Sequence, residues 1–364
     1  MAIKWKAYVF IKRYFWLFFA LFSLLLRWLG GLYPQTIETL YSRGLFLGIR
    51  TIIDYTIAAL PIPLFYLFFL MVLYNLVRYS IQAYTKQLTI KERLKKLGFT
   101  LANLTAIIII WFLWIWGFNY GRVPIENQLQ LQLSPPTLQE IQQETQWATK
   151  KTLDARLLLV GQDSLAIDEK LFPKDLEKEV RKSLESVLEE LGYPTSGRVR
   201  ARQLLPKGIL LRIQTAGIYW FFVGEGNLDA GLHPLQKPFT MAHEMAHGYG
   251  FGDEGTCNFL AYLTCLKSKQ MFVRYSGMLA YWRYIASEYR YRSPKEYADF
   301  RATHLSIGMK NDLSAIYKNN DLYPNILPSL REASYDTYLK LQGIEEGIEN
   351  YNRLVILVKG WKKR

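Results

Sequence analysis

The stretch Met241-Ala242-His243-Glu244-Met245-Ala246-His247 sets two histidines and a glutamate in an H-E-x-x-H spacing. Side chains four residues apart lie one turn apart on the same helix face, so His243 and His247 can aim two imidazole nitrogens at one point. Glu244 is rotated away from that point and can reach a water there instead of the ion. Two histidine ligands, an open water position and a glutamate base are the parts of a zinc hydrolase. The same spacing also occurs by chance on surface helices, where the histidines are merely solvated. The neighbours favour a buried helix: Met241, Ala242, Met245 and Ala246 are apolar. Buried His-Glu-His groups need partners, and a metal supplies one. Pro238-Phe239-Thr240 predicts the helix start, with Thr240 as N-cap. Gly248, Gly250 and Gly252 end the helix and let the chain turn back.

Two adjacent acids compete for the third metal ligand. Asp253 lies six residues after His247 with Gly250 between, a spacing similar to H-E-x-x-H-x-x-G-x-x-D. Glu254 lies seven after His247 and heads a row with Asn258 and Tyr262 at successive i, i+4 positions. Its side chain is longer, and Asn258 could orient it. The reading therefore takes His243, His247 and Glu254 as ligands of Zn2+ and Glu244 as the catalytic base. Asp253 is expected to cap the following helix.

The elements that must position these groups are legible in part. Residues 209–214 and 218–223 read as strands, rich in β-branched and aromatic residues, and Gly224-Glu225-Gly226-Asn227 ends the second. A strand just before the metal helix is where a zinc peptidase would hold an extended substrate by strand addition, or it is an ordinary core hairpin. Residues 256–267 and 270–289 read as helices, the second offering Arg274, Tyr275 and Tyr281 near the site. Such tyrosines are more often packing residues than oxyanion donors. Residues 138–159 and 173–191 read as amphipathic helices after a rigid Ser134-Pro135-Pro136 spacer. Residues 304–363 read as helical with polar loops.

Ahead of the soluble part the chain is apolar. Residues 14–33, 55–77 and 97–120 form three long stretches almost free of charge, against the roughly 20 residues a span requires. Arg27 interrupts the first and could snorkel to an interface; residues 35–54 read as an interfacial connection. A cleaved signal peptide is disfavoured because the aromatic-rich first stretch lacks a small-residue cleavage site. Up to Gly121 there are 13 lysines and arginines against 3 acids, so +10 of the chain's +14 sits here. The excess reads as membrane topology. Arg78, Lys86, Lys91, Arg93, Lys95 and Lys96 place the loop between the second and third spans in the cytoplasm, as do Lys4, Lys6, Lys12 and Arg13 for the N-terminus. Three spans then put everything after Gly121 outside. No basic patch marks a nucleic-acid site. Cys257 and Cys265, eight apart on one expected helix, would lie about 12 Å apart, too far for a disulfide.

The chain resembles a bacterial family catalogued as domain of unknown function 3810. The resemblance runs nearly end to end. It covers Tyr41-Ser42-Arg43, Trp116-Gly117-Phe118-Asn119-Tyr120, Gly217-Ile218-Tyr219, Gly224-Glu225-Gly226-Asn227 and the His-Glu stretch through Asn258-Phe259. It continues with Arg274-Tyr275-Ser276-Gly277, Tyr338-Leu339-Lys340 and Gly347-Ile348. The family is similar to zinc metallopeptidases in its H-E-x-x-H and implies the architecture, while the reaction follows only by analogy. It often carries an acid two residues before the matching asparagine; that position here is Thr256, which favours Glu254 as the acid near the metal.

The expected architecture is an α-helical membrane anchor of three spans (1–121) followed by a mainly α, α+β zincin-like domain with a small sheet (122–364). The expected function is a membrane-anchored zinc-dependent hydrolase, most simply a metallopeptidase, in the bacterial inner membrane with its soluble domain in the periplasm. Its partners would be the lipid bilayer and a peptide or protein substrate, and no nucleic acid. The competing expectation is a non-catalytic cell-envelope protein whose metal site is structural or vestigial. An intact Glu244 speaks against the vestigial form.

Overall fold

The computed structural model describes residues 2–85, 89–326 and 328–364. The side chains of Lys4, Lys6, Lys12 and Arg13, and residues Lys86 and Gln87, on which part of the topology reading rests, lie outside what is described. The chain divides into two compact units. One comprises Met1–Val123 with Trp220–Gly224, the other Pro124–Tyr219 with Glu225–Arg364.

In the first unit, two helical stretches among the described residues are long and apolar enough to cross a membrane, Tyr14–Leu32 and Ile90–Ile115. A shorter apolar run, Leu64–Arg78, lies within the helix Leu64–Thr85. That helix starts later than the apolar stretch beginning at residue 55. Pro61 and Pro63 lack amide hydrogens and push the residues before them out of helical geometry. Leu60 is accordingly extended (φ −57°, ψ 143°), and only a short 3-10 turn, Ile57–Ala59, precedes it. The segment 35–54, expected as an interfacial connection, is helical nearly throughout. Its Ile37–Leu45 part is π-helical and runs into the α-helix Phe46–Tyr55. Its acids are buried and matched to arginines. Glu38 accepts from Arg43 and Arg122, each at 2.7 Å, and Arg50 meets Asp54 at 2.7 Å. Residues 220–224 join this unit through aromatic contacts: the Trp220 ring packs against Phe65, Phe68 and Phe69 at 5.3–5.5 Å.

The second unit is mostly helical around a three-stranded sheet. The strands are β1 (Ala201–Leu204), β2 (Gly217–Trp220) and β3 (Glu225–Asp229), in the order β1-β3-β2. β1 and β3 run parallel with Ala201 opposite Gly226. β2 and β3 are neighbours joined by only four residues, which permits only an antiparallel pair. The helix Lys237–Gly248, which carries the His-Glu motif, packs on β3. The helix Glu254–Lys267 packs against it and against Leu176–Glu190, Met271–Arg292 and Arg353–Lys362. Met271–Arg292 lies along Leu138–Val160, fixed in part by Trp282 Nε1 donating to Thr149 Oγ1 at 2.8 Å.

Helix positions follow the sequence closely; of the two expected strands, 218–223 is met in part by β2 and 209–214 is not. Residues 209–214 form no strand but a loop with a 3-10 turn, Leu211–Ile213. The buried Asp229 carboxylate accepts from the amides of Gly208, Leu210, Leu211 and Gly231 at 2.7–3.1 Å, which removes donors a strand would need. Glu225-Gly226-Asn227, expected with Gly224 to end the second strand, belong instead to the central strand, which is buried at every position. The motif helix begins at Lys237 with Gln236 as N-cap, so Thr240 is interior. Proline tolerates the first helical turn, and Pro238 sits there.

Removing the Asp229 carboxylate leaves several inward amides without an acceptor. Bonds to a charged group contribute about 1.5–3 kcal/mol each. Asp229→Ala is expected to cost at least about 3 kcal/mol and lower Tm by roughly 6–12 °C. Thermal unfolding followed by tryptophan fluorescence checks it, and an unchanged Tm rules out this anchoring role.

Candidate metal centre

His243, His247 and Glu254 meet in one buried cluster, and among the described residues this group can hold a metal ion. Glu254 Oε2 lies 3.0 Å from His243 Nε2 and 3.3 Å from His247 Nε2, and the two Nε2 atoms are 3.1 Å apart. The carboxylate oxygen has no hydrogen-bond alignment with either ring. All three residues are at most 7% exposed.

The hydrogen bonds around the cluster fix which ring nitrogens carry protons. His247 Nδ1 lies 2.7 Å from the Phe251 carbonyl, which can only accept, so Nδ1 is protonated. Asn258 Nδ2 donates to the Tyr351 carbonyl at 3.1 Å and to the Tyr284 hydroxyl at 3.0 Å. That orientation turns Asn258 Oδ1 towards His243 Nδ1 at 2.9 Å, so this nitrogen is protonated as well. In the neutral rings both Nε2 lone pairs then face inward, the arrangement a metal ligand requires. The Tyr335 hydroxyl donates to Glu254 Oε1 at 2.7 Å, leaving Oε2 for the cluster. Burial, reinforced by Glu254, raises the Tyr335 phenol well above its ordinary range and keeps it a donor. The Tyr351 ring stacks on His243 with centroids 5.9 Å apart.

Glu244 sits beside the cluster and lines a cleft of about 640 Å³. It is 4% exposed, and its Oε2 has no hydrogen-bond partner. Burial pushes its carboxyl up to about 7, against the pull of His243 and His247. Two glycines hold it against the sheet. A Cβ at Gly217 would stand 2.6 Å from Glu244 Oε1, and one at Gly226 would stand 2.9 Å from Glu244 Cβ. Any larger residue at either position would displace the carboxylate. Gly217 belongs to β2, the sheet edge, and residues 214–217 form one wall of the cleft.

The sequence-predicted residues divide. His243, His247 and Glu254 come together with Glu244 alongside, and Gly250 turns the chain after the helix at φ +84°. Asp253 is the N-cap of Glu254–Lys267, accepting from the Thr256 amide at 2.6 Å and from Asn350 and Arg353 at 2.8 Å. Asn258 supports His243 rather than Glu254. Tyr275 donates to Asp312 at 2.5 Å, Tyr281 to Glu144 at 2.7 Å, and Arg274 to the Ser268 carbonyl at 2.5 Å, so their polar groups serve the packing of the helices. Tyr262 packs on the Tyr281 ring at 4.7 Å. Cys257, whose thiol burial pushes up to about 12, stays protonated and donates to the Phe251 carbonyl at 3.3 Å. The residues that sequence reasoning missed are Tyr284, Tyr335 and Tyr351. The last two lie more than 80 positions beyond Glu254 in helical segments with no local signal.

A family model described as "Protein of unknown function (DUF3810)" matches residues 41–358, most of the chain, and the chain belongs to that family. No curated protein and no solved structure matches it.

The two acids separate in experiment. Glu254→Ala is expected to weaken metal binding by about tenfold or more, as loss at the coordination shell does. Asp253→Ala should cost about 1 kcal/mol or more of stability as a lost cap, with metal affinity nearly unchanged. Competition for Zn2+ against a chelating dye, run beside thermal unfolding, checks both. Metal loss that tracks Asp253 instead would reverse the assignment.

Proposed function

We propose that this member of the family is a membrane-anchored, zinc-dependent hydrolase, specifically a metallopeptidase. The observation that carries the reading is the convergence of His243 Nε2, His247 Nε2 and Glu254 Oε2 at 3.0–3.3 Å beside an unpartnered Glu244 carboxylate on a cleft wall. Tetrahedral zinc with ligands at roughly 2.0–2.1 Å has its ligand atoms about 3.3 Å apart, so the residues fit that ion. Three protein ligands and one side left to the cleft correspond to a catalytic site; a structural site would be closed by a fourth. This favours an enzyme over a purely structural metal protein.

Bound Zn2+ would supply Lewis-acid charge at the reacting carbonyl. The chain's own residues do the rest. Residues 214–217 wall the cleft and Gly217 opens the edge strand, where an extended peptide could add as a further strand and lie over Glu244. Glu244 accepts a proton from the attacking water and passes it to the leaving amine nitrogen. Gly217 and Gly226 set the position of that carboxylate. Asn258, the Phe251 carbonyl and Tyr335 hold the ligands in their binding orientation.

Exposed apolar surface supports the membrane anchor. Only 11% of each window in Tyr14–Leu32 and Ile90–Ile115 is buried, whereas a core helix of a soluble protein would be mostly buried. We read the helix Leu64–Thr85, with its apolar run Leu64–Arg78 and the apolar residues 57–63 ahead of it, as the remaining span. We read the cations Arg78, Lys86, Lys91, Arg93, Lys95 and Lys96, at the facing ends of these two segments and between them, as the cytoplasmic side, which would put the site in the periplasm.

Glu244→Gln is expected to keep the metal and the fold and to abolish peptide hydrolysis, because an amide cannot accept the proton. Metal analysis and proteomic cleavage profiles of the two proteins check this; wild-type cleavage by the variant would exclude Glu244 as base. A reporter fused after Arg364 is expected to be active only outside the cytoplasm. Activity inside would invert the topology.

A further inference from the structure

The cleft extends well beyond the metal cluster, and one helix runs along it. Ser276, Ala280, Arg283, Ser287 and Arg290 of Met271–Arg292 recur at three- and four-residue steps and all line the cleft. They form one face of that helix. Its near part reaches the cluster, since the Tyr284 hydroxyl accepts from Asn258, the residue that holds His243. Arg290 lies two turns further on, about 10 Å along the axis.

The charges on this face are unbalanced. Apart from Glu244, the cleft lining contains no carboxylate. Elsewhere in this unit arginines are matched to acids, as in Arg156–Asp312, Arg181–Glu177, Arg292–Glu288 and Arg353–Asp253. Among the described residues neither Arg283 nor Arg290 forms an ion pair. Arg283 is half-buried and Arg290 is exposed. Two guanidinium groups in a concave wall raise the local positive potential, and their planar forks suit carboxylates. An extended peptide advances about 3.3 Å per residue, so the spacing of the two arginines corresponds to about three residues of substrate.

We propose that this half of the cleft is an anion subsite in which Arg283 and Arg290 bind carboxylates of an acidic peptide on one side of the scissile bond. The inference rests on the metallopeptidase reading for its substrate class. The carboxylates come from aspartate and glutamate side chains or from the peptide's C-terminus.

Binding can be measured apart from turnover. The full-length Glu244→Gln protein, loaded with zinc in detergent micelles, is titrated against fluorescein-labelled short peptides and followed by anisotropy. The peptides form matched sets, Asp/Glu against Asn/Gln, each with a free or an amidated C-terminus. Acidic peptides are expected to bind about tenfold or more tightly than their neutral partners, the size of a charge-assisted hydrogen bond, and to lose this advantage in high salt. Adding Arg283→Gln or Arg290→Gln should erase the advantage and leave neutral-peptide affinity and zinc content unchanged, while Arg283→Lys should restore part of it. Sensitivity to amidation assigns the C-terminal carboxylate; sensitivity to Asp→Asn assigns side chains. Equal binding of acidic and neutral peptides, or an advantage that survives both arginine substitutions, overturns the subsite. If the binding behaves as expected but the wild-type protein cleaves none of the peptides, the hydrolase reading fails and the subsite stands. If wild type and Arg283→Gln cleave acidic and neutral peptides alike, the subsite fails and the hydrolase reading stands.

Discussion

Three electron-rich atoms held 3.0–3.3 Å apart in a buried site repel one another unless positive charge lies among them. That constraint accounts for much of the second unit's design. The imidazoles cannot relieve the repulsion by rotating, because each is tied by its other nitrogen to an oxygen acceptor. The carboxylate cannot swing away without losing the Tyr335 hydroxyl. The anchors come from the turn after the motif helix, from the next helix and from the C-terminal segments. The cluster thus depends on the packing of parts far apart in sequence, and those parts are linked through it.

Two adjacent acids show how the chain divides this work. Asp253 serves the backbone: it caps the helix at Thr256 and holds Asn350 and Arg353. Glu254, one residue on, stands in the first turn of that helix, where the helix dipole favours a carboxylate. Burying Glu254 without a cation would be costly. The Asp253 contacts bring the segment around residue 350 against the start of this helix, and that segment also supplies the Tyr351 ring and carbonyl. Cap and ligand are therefore two parts of one local structure.

How legible this was depended on the range of the interactions. The His-Glu-His spacing rests on helical periodicity, which is local, and the structure brings these groups together with Glu254. The choice of Glu254 rests on its reach and on Asn258 orienting it, and the second of those grounds fails. The Asp253 cap was legible because it too is local. Helices of the second unit, such as Leu138–Val160, carried strong periodic patterns. The sheet was misread because its composition misleads. β3 looks like a Gly-Asn turn yet is fully buried, and its Asp229 takes the amides of the segment expected to be a strand. β1 did carry a signal: in Arg198-Val199-Arg200-Ala201-Arg202, buried Val199 and Ala201 alternate with arginines. Asn258 was placed correctly near the site but given the wrong partner. At i+4 from Glu254 it seemed to face that acid, whereas the crossing of the two helices brings it to His243. Tyr335 and Tyr351 reach the site only through tertiary packing, which a single sequence does not encode locally.

The position of Glu244 links the sheet to the chemistry. A carboxylate that is to accept a proton needs a free oxygen and a fixed direction, and burial normally provides the second at the expense of the first. Here steric contact rather than hydrogen bonding sets the direction, because the backbones of Gly217 and Gly226 approach too closely to admit a side chain. Glu244 Oε2 therefore remains without a partner although the residue is 4% exposed. The same Gly217 lies on the edge strand that walls the cleft. A peptide pairing with that edge would have its backbone positioned by the strand that positions the base. The distance between the reacting carbonyl and Glu244 would then be set by sheet geometry and would not depend on the sequence of the peptide. On the proposed peptidase reading, selectivity would come from side chains elsewhere in the cleft, and the helix Met271–Arg292 lines that part of the wall.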